Sequence, residues 1–432
     1  MSIYRYEQAF QAADKTTKAM RNAIDKWISL YYQRSKDATT DPCQQVAYTV
    51  VAKLLRAVFG EYTASAADEQ TRLVLQALNE NRREAFQQML VGGECFLKPW
   101  LEGDKLRFLV IPRDRILVFS RDPAGEPTDV GTVEKTTYGN HFYTLLERRR
   151  VDDRNQLIIE YKLYRSNTAQ ELGSPVALNN HPSYRLLQEK STYPAPAEGV
   201  GFVRLKTPML NCVDGSVDGV SVYAAVAGLI ENIDRNEALL TEEFEHGRSR
   251  LVVSADLLGE EGFTDSVFVG LDDDPEHLGI TAFVPNLRYA AYLERKQEYL
   301  RNVETVVGLR RGMLTDAHAD DRTATEIASS AGDYNLTITE LQEVWQRALD
   351  KALETCRWLY EIMGMKAPAG VIAVDWGNGI LFDEDKAWEG YRQMVLDGLI
   401  KPEIALGWRF GMEADTAQQQ SAIRQKLMPE AV

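Results

Sequence analysis

The chain has 432 residues, a formal net charge of −15, 44% hydrophobic residues and 26% charged residues. This length predicts two to four structural units with real cores. The acidic balance argues against a protein that grips nucleic acid by neutralising phosphates. No apolar stretch approaches the roughly 20 residues that cross a bilayer, residues 1–14 hold no signal-peptide run, and Cys43, Cys95, Cys212 and Cys356 form no C-x-x-C pair. These features point to a cytosolic protein with buried free thiols.

In chain order, residues 1–62 read as helical, with Ile24, Trp27, Ile28 and Tyr31 on one face and Val46, Val50, Leu54 and Val58 on another. Residues 71–91 continue as helix until Gly92-Gly93 breaks it. Period-two runs follow at 95–100, 106–111, 115–119, 132–135, 142–146 and 157–164, separated by turn clusters such as Asp122-Pro-Ala-Gly-Glu-Pro127. The fold class expected is therefore α+β. Arg148-Arg149-Arg150 reads as a surface charge run.

The most informative stretch is 214–306. Val222, Val226, Leu229, Ile233, Leu240 and Phe244 fall at helical steps, with Asp218 or Ser221 as caps and Gly247 as a stop. A helix over 219–246 would be about 42 Å long, and a second one led by Asn286 (Leu287, Ala290, Leu293, Leu300, Val303) about 30 Å. Between them, residues 253–285 carry Asp256, Glu260, Glu261, Asp265, Asp272, Asp273, Asp274 and Glu276 and no Lys or Arg. A helix out, an acidic tip and a helix back make a stalk. Val222, Val226, Ile233 and Leu240 are the residues expected to meet neighbouring copies along it.

Two capping boxes, Thr323-x-x-Glu326 and Thr337-x-x-Glu340, predict a short helix, a break at Gly332-Asp333-Tyr334-Asn335 and a long helix through Met363. Gly332 permits positive φ, while Asp333 and Asn335 favour turns. Residues 371–380 return to a strand-like pattern, and 383–398, 402–410 and 414–427 read as three short helices.

Known catalytic patterns are missing. There is no G-x-x-x-x-G-K-[ST] loop, H-E-x-x-H pair or G-x-S-x-G elbow. Asp316, His318, Asp320 and Asp321 form a compact set of metal-compatible ligands. They fit either a metal-dependent nuclease or phosphohydrolase, or a solvated loop. Arg310 and Arg311 fit a phosphate contact or a salt bridge between subunits. Trp345 and Trp358 lie at helical spacing and read as core. No cofactor is expected.

The run Asp214-Gly-Ser-Val-Asp-Gly-Val-Ser-Val-Tyr-Ala, continuing through Leu229-Ile-Glu-Asn-Ile-Asp234 to Glu243-Phe-Glu-His-Gly-Arg-Ser-Arg250, resembles portal proteins of tailed phages. The similar branch is that of siphophages and prophages of Gram-positive bacteria. Collinear pieces extend the resemblance over nearly the whole chain: Trp27-Ile-Ser-Leu-Tyr31, Tyr143-Thr-Leu-Leu-Glu147, Tyr161-Lys-Leu-Tyr164, Thr323-Ala-Thr-Glu-Ile327 and Asp397-Gly-Leu-Ile-Lys401. It implies a non-enzymatic ring of about twelve subunits at one capsid vertex, assembled in the host cytoplasm. Double-stranded DNA would pass through it without sequence specificity during packaging and ejection.

The resemblance further implies a wing over 1–210, stem helices at 211–252 and 286–307, and a clip at 253–285. A tunnel-loop region and long wing helix would occupy 308–365, and a crown 366–432. Implied partners are the terminase large subunit, capsid and scaffolding proteins, and a head-completion connector. The acidic clip would meet terminase and connector. Gly332, Asp333, Tyr334, Asn335, Arg310 and Arg311 would lie near DNA. A different head–tail connector ring is the remaining structural alternative, although connectors are typically much shorter chains.

Overall fold

The computed structural model describes residues 4–32, 43–103, 105–247, 250–254, 267–270, 280–283, 286–315, 324–377, 384–410, 412, 414 and 416–428. The architecture is mixed α+β, divided into two compact units, Met1–Asp375 and Trp376–Val432. No helix among the described residues is long and apolar enough to cross a membrane.

The larger unit begins with helices α1 (Tyr4–Phe10), α2 (Lys18–Tyr32) and α3 (Val46–Val58), strand β1 (Thr63–Ala66) and helix α4 (Glu69–Gly92). Asp68 caps α4 by accepting the Thr71 N–H at 3.0 Å, and Gly93 ends it at φ +84°. Strands β2 (Glu94–Glu102), β3 (Lys105–Pro112), β4 (Ile116–Arg121), β5 (Pro127–Tyr138), β6 (His141–Val151), β7 (Gln156–Ser166), β8 (Ser174–Val176), β9 (Lys190–Pro194) and β10 (Val203–Lys206) follow. β4 to β7 form an antiparallel meander whose last strand also pairs with β8 and β9, while β10-β2-β3 is a separate sheet.

Alternation along β4 explains the layering. Ile116 and Val118 face Phe96, Ile111 and Phe202 of the smaller-sheet side, and Leu117 and Phe119 face Tyr6 and Phe10 of α1. Both faces of the strand are covered over Ile116 to Phe119, so those four residues are all apolar. Arg149, expected on the surface, is buried on β6. It donates to Glu147 at 2.6 Å and sits over the Phe202 ring at 4.2 Å. Cys95 and Cys356 are buried as expected, but Cys212 is exposed.

Next come α5 (Ala227–His246), β11 (Arg250–Ser254), β12 (Val267–Gly270), β13 (Ile280–Phe283), α6 (Tyr289–Val307), α7 (Ala324–Ile362) and β14 (Ile372–Asp375), which pairs with β1. β11 pairs parallel with β12 and antiparallel with β13. The stripe of Ile338, Leu341, Trp345, Leu349, Ala352 and Cys356 buries α7, with Trp345 edge-on to Phe59 and Phe86.

Two expectations about these helices are corrected. α5 starts at Ala227 rather than 219: Asp218 is taken up by arginines, and Ser221 donates to the Leu90 carbonyl while its oxygen accepts the Tyr223 N–H, so it leads into a short 3-10 turn at Ala224–Val226 rather than into the α-helix itself. α7 runs unbroken through Gly332, Asp333, Tyr334 and Asn335. Thr337 bonds back to the Asp333 carbonyl at 3.1 Å instead of capping a new helix. A single helical Gly costs only about 1 kcal/mol, which the long buried half of α7 offsets.

The smaller unit contains α8 (Glu384–Leu396), α9 (Pro402–Phe410) and α10 (Ala417–Leu427). Tyr391 stacks on Trp408, Glu403 accepts from Arg424, and Thr416 with Gln419 forms a capping box on α10.

A buried charge network joins the layers of the larger unit. Arg113 pairs with Glu94 (2.7 Å) and Asp218 (3.4 Å), Arg204 with Glu94 (2.6 Å) and Glu126 (3.0 Å), Arg121 with Asp218, and Arg21 with Asp14. Burial alone would raise the Glu94 carboxyl, but Arg204, Arg113 and Arg121 outweigh it and hold it at about 2. Lys98 and Arg149 do the same for buried Glu147, also about 2. Asp218→Ala strands two arginines and should cost about 3–5 kcal/mol, measured by urea denaturation; a loss below about 1 kcal/mol would refute the network's role.

Both carboxylates have folded values below the ordinary 4.5. Their stabilisation is therefore complete above that value and is lost as pH falls towards about 2. Urea midpoints should decline across this window, and less steeply in Glu147→Gln. Equal slopes in the two proteins would contradict the assignment.

Candidate functional site

Residues 214–223 lead into α5 and are fixed almost atom by atom. Asp214 accepts from the Thr17 hydroxyl (2.5 Å) and the Asn211 amide (2.9 Å). The Val222 N–H donates to the Leu90 carbonyl at 3.1 Å, and the Tyr223 hydroxyl to the Trp27 carbonyl at 2.8 Å. Gly219 crosses Gly93 so closely that a Cβ on either would lie 2.3 Å from the other's carbonyl oxygen. The direction of α5 is thus set by α2, α4 and the charge network.

α5 and α6 are antiparallel. Glu243 pairs with Arg288 (2.7 Å), Glu237 with Lys296 (2.9 Å), and the Asn236 amide donates to the Tyr292 carbonyl (3.0 Å). At about 1.5 Å per residue each helix is about 30 Å long.

Val222, Val226, Ile233 and Leu240, expected to meet neighbouring copies, are instead buried in the chain's own core. They root the hairpin. On α6 the root is Leu300, Val303 and Val307. Their helical faces continue outward to apolar residues left about half exposed: Phe244 is 49% exposed, Tyr289 53% and Leu293 47%. Phe244 follows Ile233 and Leu240 at steps of seven and four, and Leu293 precedes Leu300 by seven. One apolar stripe is therefore buried at the root and bare at the far end. Beside it, Leu239, Glu242, His246, Leu287, Arg288 and Tyr292 line a groove of about 440 Å³.

Charge is divided unequally. α5 carries Glu231, Asp234, Glu237, Glu242, Glu243 and Glu245 against Arg235, while α6 carries Arg295, Lys296 and Arg301 against Glu294, Glu298 and Glu304. At the far end stand β11, β12 and β13. Asp256, Glu260, Glu261, Asp265, Asp272, Asp273, Asp274 and Glu276 of that tip lie outside the described residues, as do Asp316, His318, Asp320 and Asp321. Among the described residues no group of three or more His, Cys, Asp or Glu could hold a metal ion.

Past α6 the chain turns on Gly308 (φ +77°), where a Cβ would lie 2.3 Å from the Thr337 hydroxyl oxygen of α7. Glu304 organises the turn. Its buried carboxylate accepts the backbone N–H groups of Gly312 (3.1 Å), Leu314 and Thr315 (3.1 Å), and the Thr315 hydroxyl at 3.2 Å. Arg310 and Arg311 lie on this turn and are exposed. Tyr334 is half-buried on α7; burial raises its hydroxyl above the ordinary value, and the nearby Arg310 charge opposes the rise. The structure thus brings together two residues expected from separate elements.

Sequence reasoning passed over Glu304. An acid in the last turn of a helix opposes the helix dipole, and that conflict was the available signal of a local role.

Charged hydrogen bonds contribute about 1.5–3 kcal/mol each. Glu304→Ala should therefore accelerate hydrogen exchange at the amides of 312, 314 and 315 by at least about tenfold. Unchanged protection would show that the turn holds without the carboxylate.

No family model matches the chain, and no curated protein matches it at a significant level.

Proposed function

We propose that the chain is a portal subunit, copies of which close into a ring at a capsid vertex and form the conduit for double-stranded DNA. The observation that carries this reading is the antiparallel α5–α6 hairpin, whose apolar stripe runs past its own core and is bare at Phe244, Tyr289 and Leu293. A patch of this kind marks an association surface. The acid-rich α5 and the more basic α6 suit packing of one copy's α5 side on the next copy's α6 side, a heterologous contact of the type that generates rings.

Other features support the same reading. The resemblance runs through the segment that fixes α5, and a net acidic chain makes a wall that phosphates do not adhere to, within a Debye length of roughly 8 Å. The turn after α6 replaces residues 332–335 as the DNA-proximal element, since Arg310 and Arg311 present guanidinium forks from a fixed base. The β11–β13 tip, with its acids, would dock the terminase and later the connector. The β-rich part would seat in the capsid, and residues of the smaller unit would form the crown. Catalysis belongs to the partner motor.

Light scattering after size exclusion tests the reading. The chain should elute near twelve times its 48.8 kDa mass. Leu293→Asp should release folded monomers with unchanged circular dichroism, whereas Val226→Asp should unfold the chain. A wild-type monomer at every concentration would sink the proposal, and intact Leu293→Asp rings would remove the stripe from the interface.

A further inference from the structure

The larger unit holds a second feature, independent of the hairpin. Between β8 and β9 the chain makes two short 3-10 turns, Leu178–Asn180 and Pro182–Tyr184. Leu178 and Tyr184 anchor them on the meander, buried against Tyr143, Leu145 and Leu163. His181 joins the two turns and is only 5% exposed. Three tyrosine rings enclose its imidazole: Tyr184 stacks on it at 4.5 Å, and Tyr143 and Tyr138 meet it edge-on at 5.2 and 5.3 Å.

The backbone of the segment is tied through the same residue. The His181 N–H donates to the Leu178 carbonyl at 3.3 Å, and its own carbonyl accepts the Tyr184 N–H at 3.0 Å. The Leu187 N–H then donates to the Tyr184 carbonyl at 3.0 Å. The Ser183 N–H donates to the imidazole Nδ1 at 3.3 Å. That bond assigns the neutral tautomer, with the ring proton on Nε2. A second proton can enter only at Nδ1, where it displaces the Ser183 N–H and leaves two donors facing one another. It also puts a charge into a site closed off from water.

Around His181 on this face of the sheet, the charged and titratable groups are Glu134 and Tyr138 on β5, His141 and Tyr143 on β6 and Arg165 on β7, with Tyr184 and Arg185 on the segment itself. Glu134 is the one anion in this set, and its Oε1 already accepts the Tyr184 hydroxyl at 2.8 Å. Burial pushes the His181 ring below its ordinary 6.5, with Glu134 opposing the fall. The Tyr184 face attracts a cation too, yet neither attraction restores the lost Ser183 bond or the lost water.

We propose that His181 is an acid-sensitive latch: the neutral ring clamps residues 177–187 to the meander, and uptake of a proton loosens them. A group that folding holds neutral gives up its contribution as pH falls below the value it has in the open segment. The latch is therefore set above about 6.5 and weakens progressively below it. Glu94 and Glu147 lose their charge only below 4.5, so the two effects separate. Loosening bares Leu178 and Tyr184 while the charge network still holds the body.

Amide hydrogen exchange of the full chain, corrected for intrinsic rates, tests the proposal at about pH 7.5 and about pH 5.5. Protection at 183, 184 and 187 should fall by about threefold or more between them, while amides of α4 keep theirs. His181→Asn retains an oxygen that accepts the Ser183 N–H in an Asx turn and does not titrate, so its protection should be equal at the two pH values. Exchange at the imidazole C2 position, read by mass spectrometry, follows the ring in the unsubstituted chain and does not depend on how well the variant folds. Its midpoint should lie below about 6.5. A midpoint at or above that value would overturn the proposal, as would unchanged protection at the lower pH or an equal fall in His181→Asn.

Discussion

The larger unit depends on one buried cluster of charge. Arg113 is fully buried, and its partners Glu94 and Asp218 are nearly so. Removing such groups from water costs several kcal/mol per ion, and mutual attraction repays that cost only when geometry is good. Here each acid is shared, Glu94 by Arg113 and Arg204 and Asp218 by Arg113 and Arg121, and Glu94 accepts from the Arg204 Nε at 2.8 Å, while its contact with the Arg113 Nε is a close charge pair without hydrogen-bond alignment. Arg21 sits close enough to Arg113 that burial and this neighbour together lower it to about 10. Apolar side chains of equal volume could fill the same space. They would not fix the relative position of the segment before α2, the sheets and residues 214–221, since only directional bonds do that.

What the network fixes is the base of a lever. The close Gly93–Gly219 crossing, the Val222 and Tyr223 hydrogen bonds and the buried Val226 and Ile233 leave α5 a single way to depart from the body. α6 returns against it through ion pairs exposed enough that each contributes only about 0–1 kcal/mol. The hairpin's rigidity therefore resides at its root. At the other end of α6, Glu304 converts a helix terminus into a set turn by taking up three backbone N–H groups, and Gly308 lets that turn lie against Thr337. Both ends of the hairpin's root are anchored by carboxylates, one shared by arginines and one filled by backbone donors.

Much of this was legible in the sequence. Helical periodicity located α4, α6, α9 and the buried half of α7, and period two located the meander, because in those segments one face is apolar and local propensity agrees with packing. The errors have a common cause. Ser221, Asp218, Thr337 and Arg149 are residues with more than one use, and spacing reveals only the local one. Ser221 can cap a helix, but Leu90 offers a carbonyl; Thr337 can cap, but α7 is already held by Trp345 and Leu341. Arg149 follows an exposed pattern until Glu147, Phe202 and the Gly201 carbonyl come together around it. Apart from Glu147, two residues back on the same face of β6, such partners as Leu90, Gly201 and Phe202 are distant in sequence, so nothing at the position itself signals them. Glu304 is the opposite case, a local conflict that pointed to a tertiary role.

The bare stripe has an energetic meaning that follows from its position. Full burial of a side chain such as Phe244, Tyr289 or Leu293 is worth about 1.5–3 kcal/mol, and with each about half exposed on an isolated chain only part of that gain is realised. One pairwise contact between copies must also overcome about 4–15 kcal/mol of lost translational and rotational freedom. A few half-exposed side chains per surface leave an open pair marginal. In a closed ring every copy uses both surfaces, and the closing contact joins bodies already held together, so it adds burial without a further full loss of freedom. If copies associate through this stripe as proposed, its modest size would favour complete rings over open pairs. The stable body beneath supports that outcome, because a hairpin with a fixed direction presents its two surfaces at one angle, and a constant angle is what lets a heterologous contact close.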